Sequence, residues 1–183
     1  IRDRMYPAGI TKLSYPLSNE EILQFFDGKC EVIRYADLVD KFPLDKYGRC
    51  VILIQSNPTN HWVLVMKLNN GSTLFQDSYG MFPSDQFNWV PKSVQKMTKQ
   101  DRKKILDILA STPDMRYSPY KLQKSKTSIS TCGKHACVRA LFPDIDENQY
   151  WELISALAKD FNIGTDDVVN QIFISSAIFK HLL

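Results

Sequence analysis

The pattern of apolar and polar positions changes period twice along the chain. Near the start, Ile22, Leu23, Phe25 and Phe26 follow Ser18-Asn19-Glu20-Glu21. The Ser-x-x-Glu form is that of a capping box, so a helix with a buried stripe is predicted there, stopping near Gly28. A short strand over 31–34 and a short helix over 35–41 are expected next, followed by a turn-rich connection from Pro43 to Gly48. The middle of the chain is apolar in short runs, 50–55, 61–68 and 72–78, whose lengths suit strands. Asn57-Pro58-Thr59-Asn60 reads as a loop between the first two, and Asn69-Asn70-Gly71 as the turn of a hairpin between the last two.

After Pro91 the period becomes helical. Thr98 is read as the cap of a helix carrying Ile105, Leu106, Ile108 and Leu109, ended by Thr112-Pro113. Residues 116–123 can return as a strand. Residues 132–142 read as a buried helix, with small side chains on one side and Val138, Leu141 and Phe142 on another; 146–161 and 165–182 are two amphipathic helices. The order helix, sheet, helices predicts an α+β fold with a central mixed or antiparallel sheet flanked by helices. No repeat, low-complexity tract or linker divides the sequence, so 1–183 is read as one domain.

Composition narrows the classes. The hydrophobic fraction of 44% and charged fraction of 23% are those of a soluble globular protein. A net charge of +3 is too small to announce a nucleic-acid binder, and the lysine clusters at 99–104 and 121–126 read first as solvated faces, with a polyanion contact as the alternative. Apolar runs such as 50–54 are far too short to cross a bilayer, and the first residues lead into Pro7 without the apolar stretch of a secretory signal. Cys30, Cys50, Cys132 and Cys137 form no CxxC pair; Cys132, His135 and Cys137, at i, i+3 and i+5, cannot share one helical face. No metal or other cofactor is therefore expected. Free thiols in a reducing compartment, and a monomer that is not secreted, are the consistent expectation.

Three residue types then suggest chemistry. Cys132 stands where a loop should enter a helix, so backbone N–H groups and the helix dipole there would stabilise a thiolate. Gly133 beside it removes bulk where a substrate backbone would approach. Taken alone, Cys132 is as well read as a buried core cysteine, as Cys137, Cys30 and Cys50 are. His61 follows a polar loop and opens an apolar strand, which places its ring at a sheet edge near solvent. His135 lies one turn from Cys132 on the same helix, and His181 sits in the last turn. Asp77 could orient the His61 imidazole. A three-residue hairpin loop pairs Leu68 with Ser72, and so His61 with Tyr79, leaving Asp77 diagonal to His61 on the same face; a two-residue loop puts it on the opposite one. Gln123 can be an oxyanion donor together with the Cys132 N–H, or only a polar strand residue. Trp62 can fill the core or wall a substrate cleft.

His61-Trp62, the sixteen-residue step to Asp77-Ser78-Tyr79-Gly80, and Thr131-Cys132-Gly133 together resemble the clan CE cysteine proteases. This family includes the adenovirus maturation protease (adenain), SUMO-specific proteases and enzymes of virophages, Maverick-type elements and large DNA viruses. The virophage and giant-virus members are the most similar in their helical tail. The resemblance covers roughly 50–142. Papain-like enzymes run Cys, His, Asn, and the order here excludes them. One departure is that Gln123 lies farther from Cys132 than the family's glutamine does, with Lys126 nearer that place.

The resemblance implies Cys132 as nucleophile at the start of a buried helix, His61 as base, Asp77 as its orienting acid, and Gln123 as oxyanion donor. It implies Trp62 and Gly133 at a narrow substrate channel. The function implied is an endopeptidase cutting proteins after small residues, of Gly-Gly or Gly-X type, processing capsid or core precursors in the host cytoplasm or virion. An activating peptide or nucleic acid is a partner known for such enzymes. A protease of ubiquitin or ubiquitin-like proteins, an acyltransferase and an inactive binding module of the same fold remain alternatives.

Overall fold

The structure, a computed structural model, describes residues 6–179. Helix α1 (Asn19–Phe25) begins at the expected capping box: the Ser18 hydroxyl accepts from the Glu21 N–H, and the Glu21 carboxylate accepts from the Ser18 N–H. Strands β1 (Glu31–Arg34), β2 (Arg49–Ile54), β3 (His61–Lys67) and β4 (Thr73–Gln76) follow. Helices α2 (Lys92–Thr98) and α3 (Arg102–Ser111) lead to β5 (Met115–Tyr117), and then come α4 (Cys132–Arg139), α5 (Glu147–Asp160) and α6 (Thr165–Phe179). This is α+β, as expected.

The strands form one mixed sheet in the order β1-β2-β3-β4-β5, with β1 parallel to β2, β5 parallel to β4, and antiparallel pairing between. β3 is the middle strand and is buried on both faces. Trp62, Leu64 and Met66 join the core under α1, α4, α5 and α6; Val63 and Val65 join the core with Phe87, Ile105 and Ile108. Helices on both faces explain why β3 reads as continuous apolar sequence rather than strict alternation. The β3–β4 register pairs Leu64 with Gln76 and Lys67 with Thr73, and the Leu68 N–H donates to the Ser72 carbonyl. The turn is therefore the three-residue loop, with Gly71 at φ 91°. This choice puts Asp77 on the His61 side.

Several boundaries differ from expectation. The helix expected over 35–41 is a single 3-10 turn, Tyr35–Asp37, because the backbone is already extended at Leu38, with φ −64° and ψ 136°. Thr98 does not cap α3: it closes α2, its hydroxyl donating to the Val94 carbonyl, and Asp101 is the cap, accepting from the Lys104 N–H. The strand expected over 116–123 stops at Tyr117, since Pro119 cannot donate to a ladder. A further 3-10 segment, Pro83–Asn88, had no periodic signal. The last helix, expected over 165–182, is described to Phe179, and His181 lies outside the described residues.

Helix α4 is buried along its whole length, against α6, β3 and α1. A segment ahead of α1 wraps it. The Lys134 ammonium donates to the carbonyls of Ile10 (2.5 Å) and Lys12 (2.9 Å) and to Asn170 Oδ1 (2.7 Å), and Asn170 Nδ2 donates to the Thr11 carbonyl. Burial pulls the Lys134 ammonium down to about 8. The Ser130 N–H donates to the Leu13 carbonyl. Residues on both sides of Cys132 are thus tied to one stretch of chain. Replacing Lys134 with Met would keep its bulk and orphan three acceptors. A loss of about 2–4 kcal/mol in urea unfolding is expected; an unchanged midpoint would show that the wrap contributes nothing.

Candidate active site

The hairpin register brings His61 and Asp77 together at the end of the sheet. His61 Nε2 lies 2.7 Å from Asp77 Oδ1, and both side chains are buried, at 5% and 0% exposure. An ionised carboxylate only accepts, so Nε2 carries the proton in this bond. Asp77 also accepts the Tyr79 N–H on Oδ1 at 3.0 Å and the Gln86 carboxamide on Oδ2 at 2.7 Å. Burial pushes the Asp77 carboxyl up, but its bonds to His61, Gln86 and the Tyr79 N–H outweigh this and hold it below its ordinary value. The turn that carries it closes with the Gly80 N–H on the Asp77 carbonyl. Gly80 has φ 72°, and a Cβ there would stand 2.5 Å from the Pro119 carbonyl oxygen. Only glycine fits that crossing.

Cys132 is the first residue of α4 and is 8% exposed. The groups that act on its sulfur are the His61 side chain and the backbone N–H groups of Trp62 and Gly133. With Nε2 given to Asp77, Nδ1 is the remaining ring nitrogen of His61. Burial raises the thiol, yet the His61 bond and charge and the two N–H groups reverse the effect and lower it from 9.0. For His61 burial acts downward, but Asp77 and Cys132 raise the imidazole from 6.5 to about 10. The two shifts run in opposite directions, each favouring the charged form of its own group. Thiolate and imidazolium are the reactive form of a cysteine hydrolase.

The helix start is anchored from behind. Asp166 of α6 accepts the Thr131 hydroxyl at 2.6 Å, His135 Nε2 at 3.0 Å and the Lys124 N–H at 2.9 Å. Gly133 presses on the protein itself: an added Cβ would meet Leu17 at 3.0 Å and Trp62 at 3.2 Å. Trp62 is buried in the core, and its indole N–H donates to the Leu17 carbonyl at 3.0 Å.

The structure therefore brings together Cys132, His61, Asp77, Trp62 and Gly133. Contrary to expectation, His61 is not near solvent, because β3 is central and Tyr79 and Trp89 pack on its ring, at 5.2 and 5.9 Å between centroids. His135 pairs with Asp166, not Cys132. Gln123 is buried beside the acid's turn: its carboxamide oxygen accepts the Ser78 hydroxyl at 2.7 Å and its N–H donates to the Ser78 carbonyl. That leaves the carboxamide nitrogen as its donor end. Residues 124–130 form an irregular loop, which accommodates the longer separation from Cys132. Gln86 and Asp166 carry no signal in the sequence; Tyr79 is placed there only as the register partner of His61, without a role at the site.

No family model matches the chain. Over 164 residues it is 27% identical to uncharacterized protein V9 of Sputnik virophage, an alignment spanning 86% of this chain and 94% of that protein.

The crossed proton preference has a testable sign. Cys132 alkylation by iodoacetamide should stay fast below the ordinary thiol range and fall only on the acid side, where the thiolate is protonated. In His61→Ala only the two backbone N–H groups oppose burial, and the rate should climb at higher pH than in wild type. Gln86→Ala should slow alkylation at neutral pH by about tenfold without unfolding the protein. A wild-type rate profile matching His61→Ala would refute the pairing.

Proposed function

We propose that this chain is a cysteine endopeptidase with Cys132 as nucleophile, His61 as proton carrier and Asp77 as its orienting acid. The observation that carries the reading is the buried line Asp77–His61–Cys132 at the start of a buried helix. The thiolate attacks the scissile carbonyl, and the imidazolium gives its proton to the departing amine, leaving a thioester on Cys132. His61 then takes a proton from water, whose oxygen displaces the sulfur and frees the acid. Gln123, through its carboxamide nitrogen, and the Cys132 N–H are the proposed donors to the oxyanion.

A sulfur this enclosed, with Trp62 packed on Gly133 of its helix, favours small residues at the scissile bond, so cleavage after glycine is the expected specificity. The resemblance to clan CE enzymes points the same way. The similarity to a virophage protein supports a viral setting, with capsid or core precursors as substrates in virion maturation, in the host cytoplasm or the particle. No described helix is long and apolar enough to cross a membrane.

A quenched peptide library with Gly-Gly and Gly-X cores tests the reading. Wild type should cleave after glycine, Cys132→Ala and His61→Ala should fall to background, and Asp77→Asn should lose about a hundredfold or more in kcat. Absence of Cys132-dependent cleavage together with an unreactive Cys132 would overturn it in favour of a binding module. Selective capture by ubiquitin vinyl sulfone would favour the deubiquitinase alternative.

A further inference from the structure

Large exposed aromatic rings rarely gather on the surface of a protein without a partner for them. Here Phe82, Tyr117 and Trp151 are 40%, 37% and 39% exposed. Phe82 meets Tyr117 edge to face at 5.1 Å, and Trp151 stacks on Tyr120 at 4.8 Å. The two pairs are joined through the loop after β5, where Pro119 and Tyr120 press on the backbone of Gly80. The strip ends on Tyr79, which stacks on the His61 ring with 24° between planes. The nearby Cys132 charge contributes to raising the Tyr79 hydroxyl, after burial.

Tyr79, half-buried and stacked on His61, therefore stands between the His61–Cys132 pair and this strip. Lys121 reaches over Tyr79, its ammonium 6.0 Å from the ring centroid, and exposed Lys124 and Lys126 follow on the same loop. At the far end the Glu147 carboxylate is already engaged by Arg116 at 2.6 Å. The Lys121 ammonium donates to Ser125 Oγ at 2.8 Å, and among the described residues none of the three lysines has a carboxylate partner, so positive charge borders the end nearest the thiol and aromatic surface extends beyond it.

We infer that this strip docks an extended segment of the protein substrate flanking the scissile bond, with an acidic residue near the bond and an aromatic residue farther out. The inference rests on the endopeptidase reading for its biological sense, but the surface can be probed without turnover. Recognition of this kind adds rigid aromatic anchors to a charge contact that sets orientation.

The test uses two peptides with one Gly-Gly core. The short one holds the core alone; the long one extends on each side with glutamate beside the core and tryptophan beyond. Tyr117→Ala and Trp151→Ala should leave cleavage of the short peptide unchanged and lower kcat/KM for the long one about tenfold, through KM. Lys121→Glu should do the same, with recovery when the glutamates of the long peptide become lysines. Binding of the long peptide to Cys132→Ala, read by fluorescence anisotropy, should weaken about tenfold with Trp151→Ala added. Equal effects on short and long peptides, or binding indifferent to Trp151, would overturn the inference. So would self-association of wild type that Trp151→Ala abolishes, which would make the strip an interface between copies. Peptide binding that depends on Trp151 without any cleavage would retain the docking surface and sink only the endopeptidase reading.

Discussion

A carboxylate with no exposed surface dominates this molecule. Asp77 sits in the interior at 0% exposure, where an uncompensated charge is not tolerated. Its compensation is local and complete on both oxygens: His61 and the Tyr79 N–H on one, Gln86 on the other. Each partner constrains a different part of the chain. His61 requires the three-residue hairpin turn, Tyr79 requires the tight turn closed by Gly80, and Gln86 requires the 3-10 segment Pro83–Asn88. The acid is thus the point at which three stretches of backbone are held in one arrangement. Its negative charge helps raise the His61 imidazole, and His61 in turn lowers the Cys132 thiol against the effect of burial.

The sulfur is positioned from the other direction by a separate set of contacts. Asp166 holds the Thr131 hydroxyl and His135, while Lys134 and Ser130 bind carbonyls of the segment ahead of α1. Leu17 of that segment touches Gly133 and takes the Trp62 indole N–H. Two buried His–Asp pairs therefore serve different ends. The 61–77 pair tunes proton affinity at the sulfur, and the 135–166 pair fixes where the helix begins. Supporting bonds of this kind hold a group to within a fraction of an ångström, as the proposed catalysis requires.

Much of the architecture was legible in local sequence. Ser18 and Glu21 form the expected capping box, β1 has the expected bounds, and Asp146 caps α5 one residue before its predicted interior. The hairpin carried more than local information, because the turn length alone decides whether Asp77 can meet His61. What stayed hidden depends on distant pairing. Gln86 looks like any polar residue in a segment without period, and Asp166 like a first-turn helix acid. Neither reveals that it closes on Asp77 or Thr131. His61 was misread as near solvent because strand position in the sheet, and the rings of Tyr79 and Trp89, come from tertiary packing. Thr98 lost its capping role to Asp101 because a second, shorter helix occupies the sequence before it. Gly133 had a plausible functional explanation, yet its immediate neighbours are Leu17 and Trp62.

The protonation state of His61 is where these contacts converge. Nitrogen NMR of the imidazole reads it without relying on any substrate. At neutral pH both ring nitrogens should show imidazolium shifts, and the ring should become neutral once Cys132 is alkylated or replaced by Ala. A neutral His61 in the untreated wild-type protein, unchanged by removal of the thiol, would contradict the thiolate–imidazolium pair and the reading built on it.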